Sequence, residues 1–217
     1  MATRDVGRGR AGALGAAVTV AALFVAKGGC YFGREGVDPW DEARDARKYA
    51  GPHPVVAHPP CARWCRLAGL VESRYGIKKG EAGGCFASAL ASVRKWGGVL
   101  EHPAHSDAWA HFLLPAPPTS GGWVRGICGG WSCHVEQGHY GHRAPKPTWL
   151  YAFGADFLPA LPWGKSDAEM GLNTWYPSER ADPSKCRKEI PKSERSATPP
   201  AFRELLLSIA RSARSSR

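Results

Sequence analysis

Several signatures are missing from this chain, and each absence removes a function class. There is no Walker loop, so a phosphate-cradling NTPase is excluded. Neither an HExxH helix nor a GxSxG elbow occurs, which removes the common zinc peptidases and serine hydrolases. No GxGxxG follows the first apolar segment. No C-x2-C pair exists; Cys61-x3-Cys65 and Cys128-x4-Cys133-His134 have poor spacing for a zinc ribbon or finger, so no metal is expected. No internal repeat is visible. Acidic residues are scarce, with 19 Asp and Glu against 29 Lys and Arg, for a net charge of +10. A polyanion partner follows, with double-stranded DNA first and an anionic membrane surface second.

No apolar run is long enough to span a bilayer convincingly, and no stable membrane association is expected. Residues 11–26 (AGALGAAVTVAALFVA) come nearest. Arginines precede this run, and Cys30 follows Gly28-Gly29, a pattern that fits an export signal with a lipoprotein cysteine. The competing reading is a central strand of a buried sheet over Val18 to Val25, turning at Gly28-Gly29. Seven cysteines, an odd number in a chain of 217 residues, favour reduced thiols and a cytoplasmic protein over a disulfide framework.

What is present suits a single domain with an extension. The hydrophobic content of 43% is enough for a core, and 26 Gly with 18 Pro imply short elements and many turns. Residues 1–10 read as a disordered basic arm. A polar helix is expected over 41–49, a strand ending at Val55–Ala57, and helical structure from 61 to 70. Residues 83–96 give the clearest helix, with Gly97-Gly98 as its stop. A strand then ends at Glu101-His102-Pro103, followed by a helix over 104–113. This arrangement predicts a β–α–β crossover with both strand tips on one edge. A loop at 115–122, a hairpin within 123–135 and a strand over Thr148 to Phe153 complete an α/β core over 11–163. Residues 164–200 read as a polar linker. An amphipathic helix and basic tail close the chain over 201–217.

Three constellations carry candidate chemistry. Val55-Val56-Ala57-His58-Pro59-Pro60-Cys61 ends a strand in a rigid turn, because proline lacks an N–H and fixes φ. Cys61 is thereby delivered at a strand tip, where a thiolate can act as a nucleophile, with Arg63 nearby to favour its charged form. Glu101 stands at the next strand tip and can accept a hydrogen bond or move a proton. Gln137, His139, Tyr140, His142, Arg143 and Lys146 form a basic, aromatic loop suited to phosphate contacts and stacking.

The Pro-Pro-Cys turn, the later strand-tip glutamate and the basic loop resemble, in that order, the Pro-Cys, Glu-Asn-Val and Gln-x-Arg-x-Arg motifs of DNA cytosine-5 methyltransferases. The stretches VDPWDEARDARKYAGP, VVAHPPCARW, GGVLEHPAHSDAW, YGHRAPKPTWLY and ERSATPPAFRELLLSIA are similar to compact bacteriophage-type proteins of that kind. The resemblance implies a shortened Rossmann-like fold of the class I methyltransferase type, a mostly parallel sheet with flanking helices. Recognition loops would lie around 115–135. It implies methyl or other one-carbon transfer to cytosine C5 in DNA, with S-adenosylmethionine as donor. Cys61 would attack C6 and Glu101 would hold the base edge. Arg143 and Lys146 would contact the base oxygen or a phosphate, with Arg63, His102, Gln137, His139, Tyr140 and His142 also in the nucleic-acid surface. Asp38 would hold the cofactor ribose, beside Gly28, Gly29 and Pro59. Two departures stand out: the Phe-x-Gly-x-Gly loop is absent, and Glu-His-Pro replaces Glu-Asn-Val. A non-catalytic DNA-binding protein on the same scaffold is the alternative reading.

Overall fold

The computed structural model describes residues 18–65, 68–76, 78–80, 82–170 and 190–214. The expected N-terminal arm, the tail beyond 214, most of the linker and Cys186 lie outside these residues. Strand β1 is Val20–Leu23, β2 Val37–Trp40, β3 Val55–Ala57, β4 Gly98–Pro103, β5 Trp123–Arg125, β6 Trp131–Glu136 and β7 Pro147–Phe153. Helix α1 is Ala68–Tyr75, α2 Cys85–Trp96, α3 Asp107–His111, α4 Lys192–Arg195 and α5 Pro200–Arg211. The strands form one sheet in the order β2-β1-β3-β4-β7-β6-β5.

The apolar run ending near residue 25 supplies β1 at the interior of this sheet, buried at all four positions. A strand covered on both faces needs apolar side chains on both, so it reads as a continuous run. Ala21 and Leu23 join Val55, Ala57 and Leu100 in the layer beneath α2, which contributes Phe86, Ala89, Leu90 and Val93. Val20 and Ala22 join Val56, Val99 and Leu150 in the opposite layer beneath α5, against Phe202, Leu206 and Ile209. The spacing of those α2 and α5 residues is the one-face pattern of a helix on a sheet. Pro200 opens α5, where a missing N–H costs nothing. Gly98 allows β4 to lie against β3: a Cβ there, at φ +125°, would stand 1.9 Å from the Val55 carbonyl oxygen.

The β3–α2–β4 crossover is present, and both strand tips lie on one edge because β3 and β4 are parallel. The sheet as a whole is mixed, which corrects the mostly parallel expectation. β1 pairs in parallel with β2 and β3, and β3 with β4; β4–β7, β7–β6 and β6–β5 are antiparallel. The change falls at β4–β7, where a long excursion through α3, β5 and β6 brings the chain back in the opposite direction; β5 and β6 are then joined by a short hairpin turn, which can link only antiparallel neighbours. The helix expected over 41–49 is reduced to a single 3-10 turn, Ala46–Lys48, because Asp45 takes a left-handed φ of 52°. Residues 61–65 turn rather than form a helix, and α1 begins at Ala68. The helix expected over 104–113 is limited to Asp107–His111; Leu113 has φ 53° and cannot continue it. Among the described residues no helix is long and apolar enough to cross a membrane.

From β1 the sheet is wound in two directions, to β2 on one side and to β3 and β4 on the other. The crevice beyond the carboxyl ends of β1 and β3 is therefore a topological switch point, where open α/β sheets collect ligands.

Candidate functional site at the strand tips

Cys61 follows the tip of β3 as the two prolines predict. The His58 N–H donates to the Leu23 carbonyl at 3.0 Å, holding the chain to β1 for one residue more. Pro59 is then buried and Pro60 exposed, and the Trp64 N–H donates to the Cys61 carbonyl at 2.9 Å to close the turn. Cys61 lines a recess of about 230 Å³ with Trp64, Cys65, His102, Pro103 and His105. Cys61 is exposed as a residue, yet the recess partly desolvates its thiol. That desolvation, and then the negative charge of Glu101, raise the thiol pKa; Lys146 acts weakly the other way.

Glu101 lies at the tip of β4 and is buried. One carboxylate oxygen, Oε2, is 2.9 Å from His58 Nδ1; the other, Oε1, accepts from Gln137 Nε2 at 3.2 Å. On its far side His58 Nε2 is 2.8 Å from the Tyr31 hydroxyl, and Gln137 Nε2 also donates to Thr148 Oγ1 at 2.9 Å. Burial disfavours the Glu101 charge, but the His58 hydrogen bond, with the Lys146 charge behind it, outweighs that cost. The carboxyl pKa is lowered, and Glu101 is ionised at neutral pH.

His102 is 1% exposed, and neither ring nitrogen makes a hydrogen bond to another described residue. Its ring stands edge-on to Phe86 at 5.2 Å and stacks toward Trp109 at 6.3 Å. Desolvation brings its pKa down to about 4, against weaker raising effects from Glu101 and the Pro60 carbonyl, so the ring is neutral.

On the other side of Pro60 lies a cleft of about 640 Å³, lined by Phe24, Val25, Asp41, Glu42 and Arg47 together with Pro60 itself. Its place is the switch point. Phe24, the residue after β1, has φ 59°, a strained value for a bulky side chain and one that recurs at ligand sites. Gly28 and Gly29 form the turn beyond β1, with the Gly29 N–H donating to the Ala26 carbonyl. Asp38 does not line this cleft. Its carboxylate is taken by Arg44 Nη1 at 2.5 Å and Trp40 Nε1 at 2.7 Å. Asp41, the first residue past β2, lines the cleft with Glu42 and Asp45, and it is mostly buried. Pro59 packs inside, and Pro60 takes the lining position.

The basic loop is divided by the fold. Gln137 is buried against Glu101, and His102 is buried beneath the recess, so neither meets a phosphate. His142 is also buried, with Nδ1 2.6 Å from the Ala144 carbonyl oxygen. Tyr140 packs on Phe202 at 5.4 Å. Arg143 is exposed but bonds Glu194 through both of that residue's carboxylate oxygens. His139 is exposed, Arg63 and Lys146 are half-buried, and Lys146 Nζ donates to the Ala197 carbonyl at 2.9 Å. The polar loop residues face inward because β6 and β7 must pair on either side of them, which brings Gln137 and Thr148 to the Glu101 tip.

Cys128 is exposed in the β5–β6 turn, and Cys133 is buried within β6. Among the described residues no group of three or more His, Cys, Asp or Glu side chains is placed to hold a metal ion, and the six cysteines are free thiols. Cys30 sits in the loop after β1, with its carbonyl accepting from the buried Arg203 at 3.0 Å. Cleavage before Cys30, as a lipoprotein would require, would remove β1 from the sheet.

Sequence reading missed His58, Tyr31 and Asp41. His58 stands three residues before Cys61 at the end of the same strand, and Asp41 directly follows the Val37–Trp40 strand; both carry a usable positional signal. Tyr31 gives none, since only the tertiary fold brings its loop over β3. Compared with known proteins, the chain matches no family model and no curated sequence.

Proposed function

We propose that this protein modifies cytosine in DNA, transferring a methyl or other one-carbon group to C5 with Cys61 as the nucleophile. One observation carries the reading. Pro60 borders the switch-point cleft and Cys61, its neighbour, lines the recess, so a donor site and a thiol meet across one peptide. The resemblance of the Pro-Pro-Cys turn to cytosine-5 methyltransferases supplies the reaction class. The two-way winding from β1 supports a shortened Rossmann-like reading of the fold.

The cleft fits S-adenosylmethionine. Its volume is in the range for a nucleoside-sized ligand. Asp41 and Glu42 at the β2 tip would take ribose hydroxyls, and Phe24 and Val25 would flank the adenine. The acidic lining suits a ligand carrying positive charge and disfavours a diphosphate. When bound, the cofactor supplies an electrophilic methyl group. Cys61 forms a bond to C6 of an extruded pyrimidine and drives the ring electron pair toward C5. With the methyl group on C5, loss of the C5 proton to solvent water would re-form the C5–C6 double bond and break the C6–S bond, releasing Cys61 as the thiolate. Glu101, whose two oxygens each accept one hydrogen bond from the described residues, would accept the exocyclic amine N–H with a second lone pair. Arg63, His139 and Lys146 are the remaining candidates for backbone phosphates.

A second reading, a non-catalytic DNA-binding protein, is favoured by the raised Cys61 pKa, since a protonated thiol is a weak nucleophile. Expression in a bacterial host followed by nucleoside mass spectrometry separates the two. The enzyme produces a new modified deoxycytidine, and Cys61→Ser abolishes it while DNA affinity persists. Unchanged nucleosides with intact DNA binding leave the binding reading.

A further inference from the structure

We infer that His58 is a positioning residue for this reaction, holding the Glu101 carboxylate ionised and oriented toward the base through a hydrogen-bonded chain that begins at Tyr31. The inference rests on Glu101 being the group that receives the base.

The chain is continuous and enclosed. Tyr31 is 2% exposed, and its hydroxyl lies 2.8 Å from His58 Nε2; His58 Nδ1 lies 2.9 Å from Glu101 Oε2. A neutral imidazole satisfies both contacts in one tautomer: Nδ1–H donates to the carboxylate, and Nε2 accepts from the phenol. With both nitrogens engaged, His58 has none left for substrate, so it acts through Glu101. The backbone fixes the ring as well, because the His58 N–H is bound to Leu23 and Pro59 follows.

The carboxylate needs this support. A buried acid without donors takes up a proton, and a protonated Glu101 cannot accept from an amine N–H with the same oxygen. Among the described residues each oxygen has one donor, His58 Nδ1 or Gln137 Nε2. The charged and titratable groups around Glu101 are His58 and Cys61 beyond β3, Lys146 before β7, His102 on β4 itself and Tyr31 behind His58. Only His58 among them hydrogen-bonds the carboxylate directly. Lys146 is directed to Ala197, and His102 is neutral. Tyr31 is held in its phenol form, since burial pushes its pKa well up.

The test is the pH dependence of kcat/KM for methyl transfer to duplex DNA in wild type, His58→Ala and His58→Asn. Asn places an amide donor near the Nδ1 position. His58→Ala moves the acid limb upward by about one pH unit, a loss of about tenfold on that limb, and His58→Asn recovers most of it. An unmoved acid limb in His58→Ala, or equal losses in both variants without a pH shift, overturns the inference. Carbon-13 NMR of the Glu101 carboxyl group gives a second readout, independent of turnover and usable if His58→Ala fails to fold. Glu101 titrates below the ordinary carboxylate range in wild type and stays low in His58→Asn; a wild-type midpoint at or above that range overturns the inference. Absence of transfer by the wild type, with the low Glu101 midpoint retained, removes the proposed reaction and leaves the His58–Glu101 device standing.

Discussion

A histidine whose ring nitrogens have no hydrogen-bond partner among the described residues, packed between Phe86 and Trp109 at the base of the Cys61 recess, has a thermodynamic consequence. His102 binds a proton in the unfolded chain near pH 6.5 but in the fold only near pH 4. Between these values the unfolded state holds more protons, so stability falls as pH drops through that window, by about 3 kcal/mol in all. His102→Phe should flatten this part of the stability profile, measured by urea denaturation between pH 4 and 7. Glu101 adds a loss of its own at lower pH: its folded pKa is depressed, so its contribution is complete above the unfolded value and disappears as pH falls through the folded one. At the thiol the sign is opposite. Glu101 raises the Cys61 pKa, and Glu101→Gln should accelerate iodoacetamide alkylation of Cys61 at pH 8, read by peptide mass spectrometry. Cys133, buried and with its pKa raised to about 12, should be labelled last of the described cysteines.

Among the elements, the β3–α2–β4 crossover depends most on a single residue. Gly98 carries a positive φ and approaches β3 so closely that any Cβ overlaps the Val55 carbonyl. Gly98→Ala must therefore part β3 from β4, the two strands that present Cys61 and Glu101. We expect a loss of about 3 kcal/mol or more, seen as a lowered denaturation midpoint. Helix α5 is held differently, through volume rather than close approach. Leu206 is fully buried beneath the sheet, and Leu206→Ala should cost about 2–5 kcal/mol with little effect on Cys61 labelling in the folded state. The contrast separates damage to the scaffold from damage to the site.

For the molecule as a whole, an excess of ten positive charges does not translate into a free cationic face at the basic loop. Arg143 is paired with Glu194, His142 and Gln137 are internal, and Arg63, His139 and Lys146 remain near the site. If Arg63 and Lys146 meet the DNA backbone, the slope of log K against log salt is about −1.8. Arg63→Ala reduces the magnitude of that slope by about one, and Arg143→Ala changes it less, measured by fluorescence anisotropy on duplex DNA at several salt concentrations.

The strand at β1, the Pro-Pro-Cys turn, the 85–96 helix, the crossover to β4 and the closing helix were all legible along the chain. Each is written in local terms: an apolar run, a residue without an N–H, a 3.6-residue period or a glycine stop. Local chemistry also delivered Cys61 to a strand tip. Tertiary structure alone decided that the second half of the sheet runs antiparallel, that Gln137 turns inward to Glu101 while Asp38 is absorbed by Arg44, and that Tyr31 reaches His58 across 27 positions. These outcomes depend on which groups remain unsatisfied once the layers close. A buried carboxylate recruits donors from wherever the chain brings them, and no sequence window contains that competition.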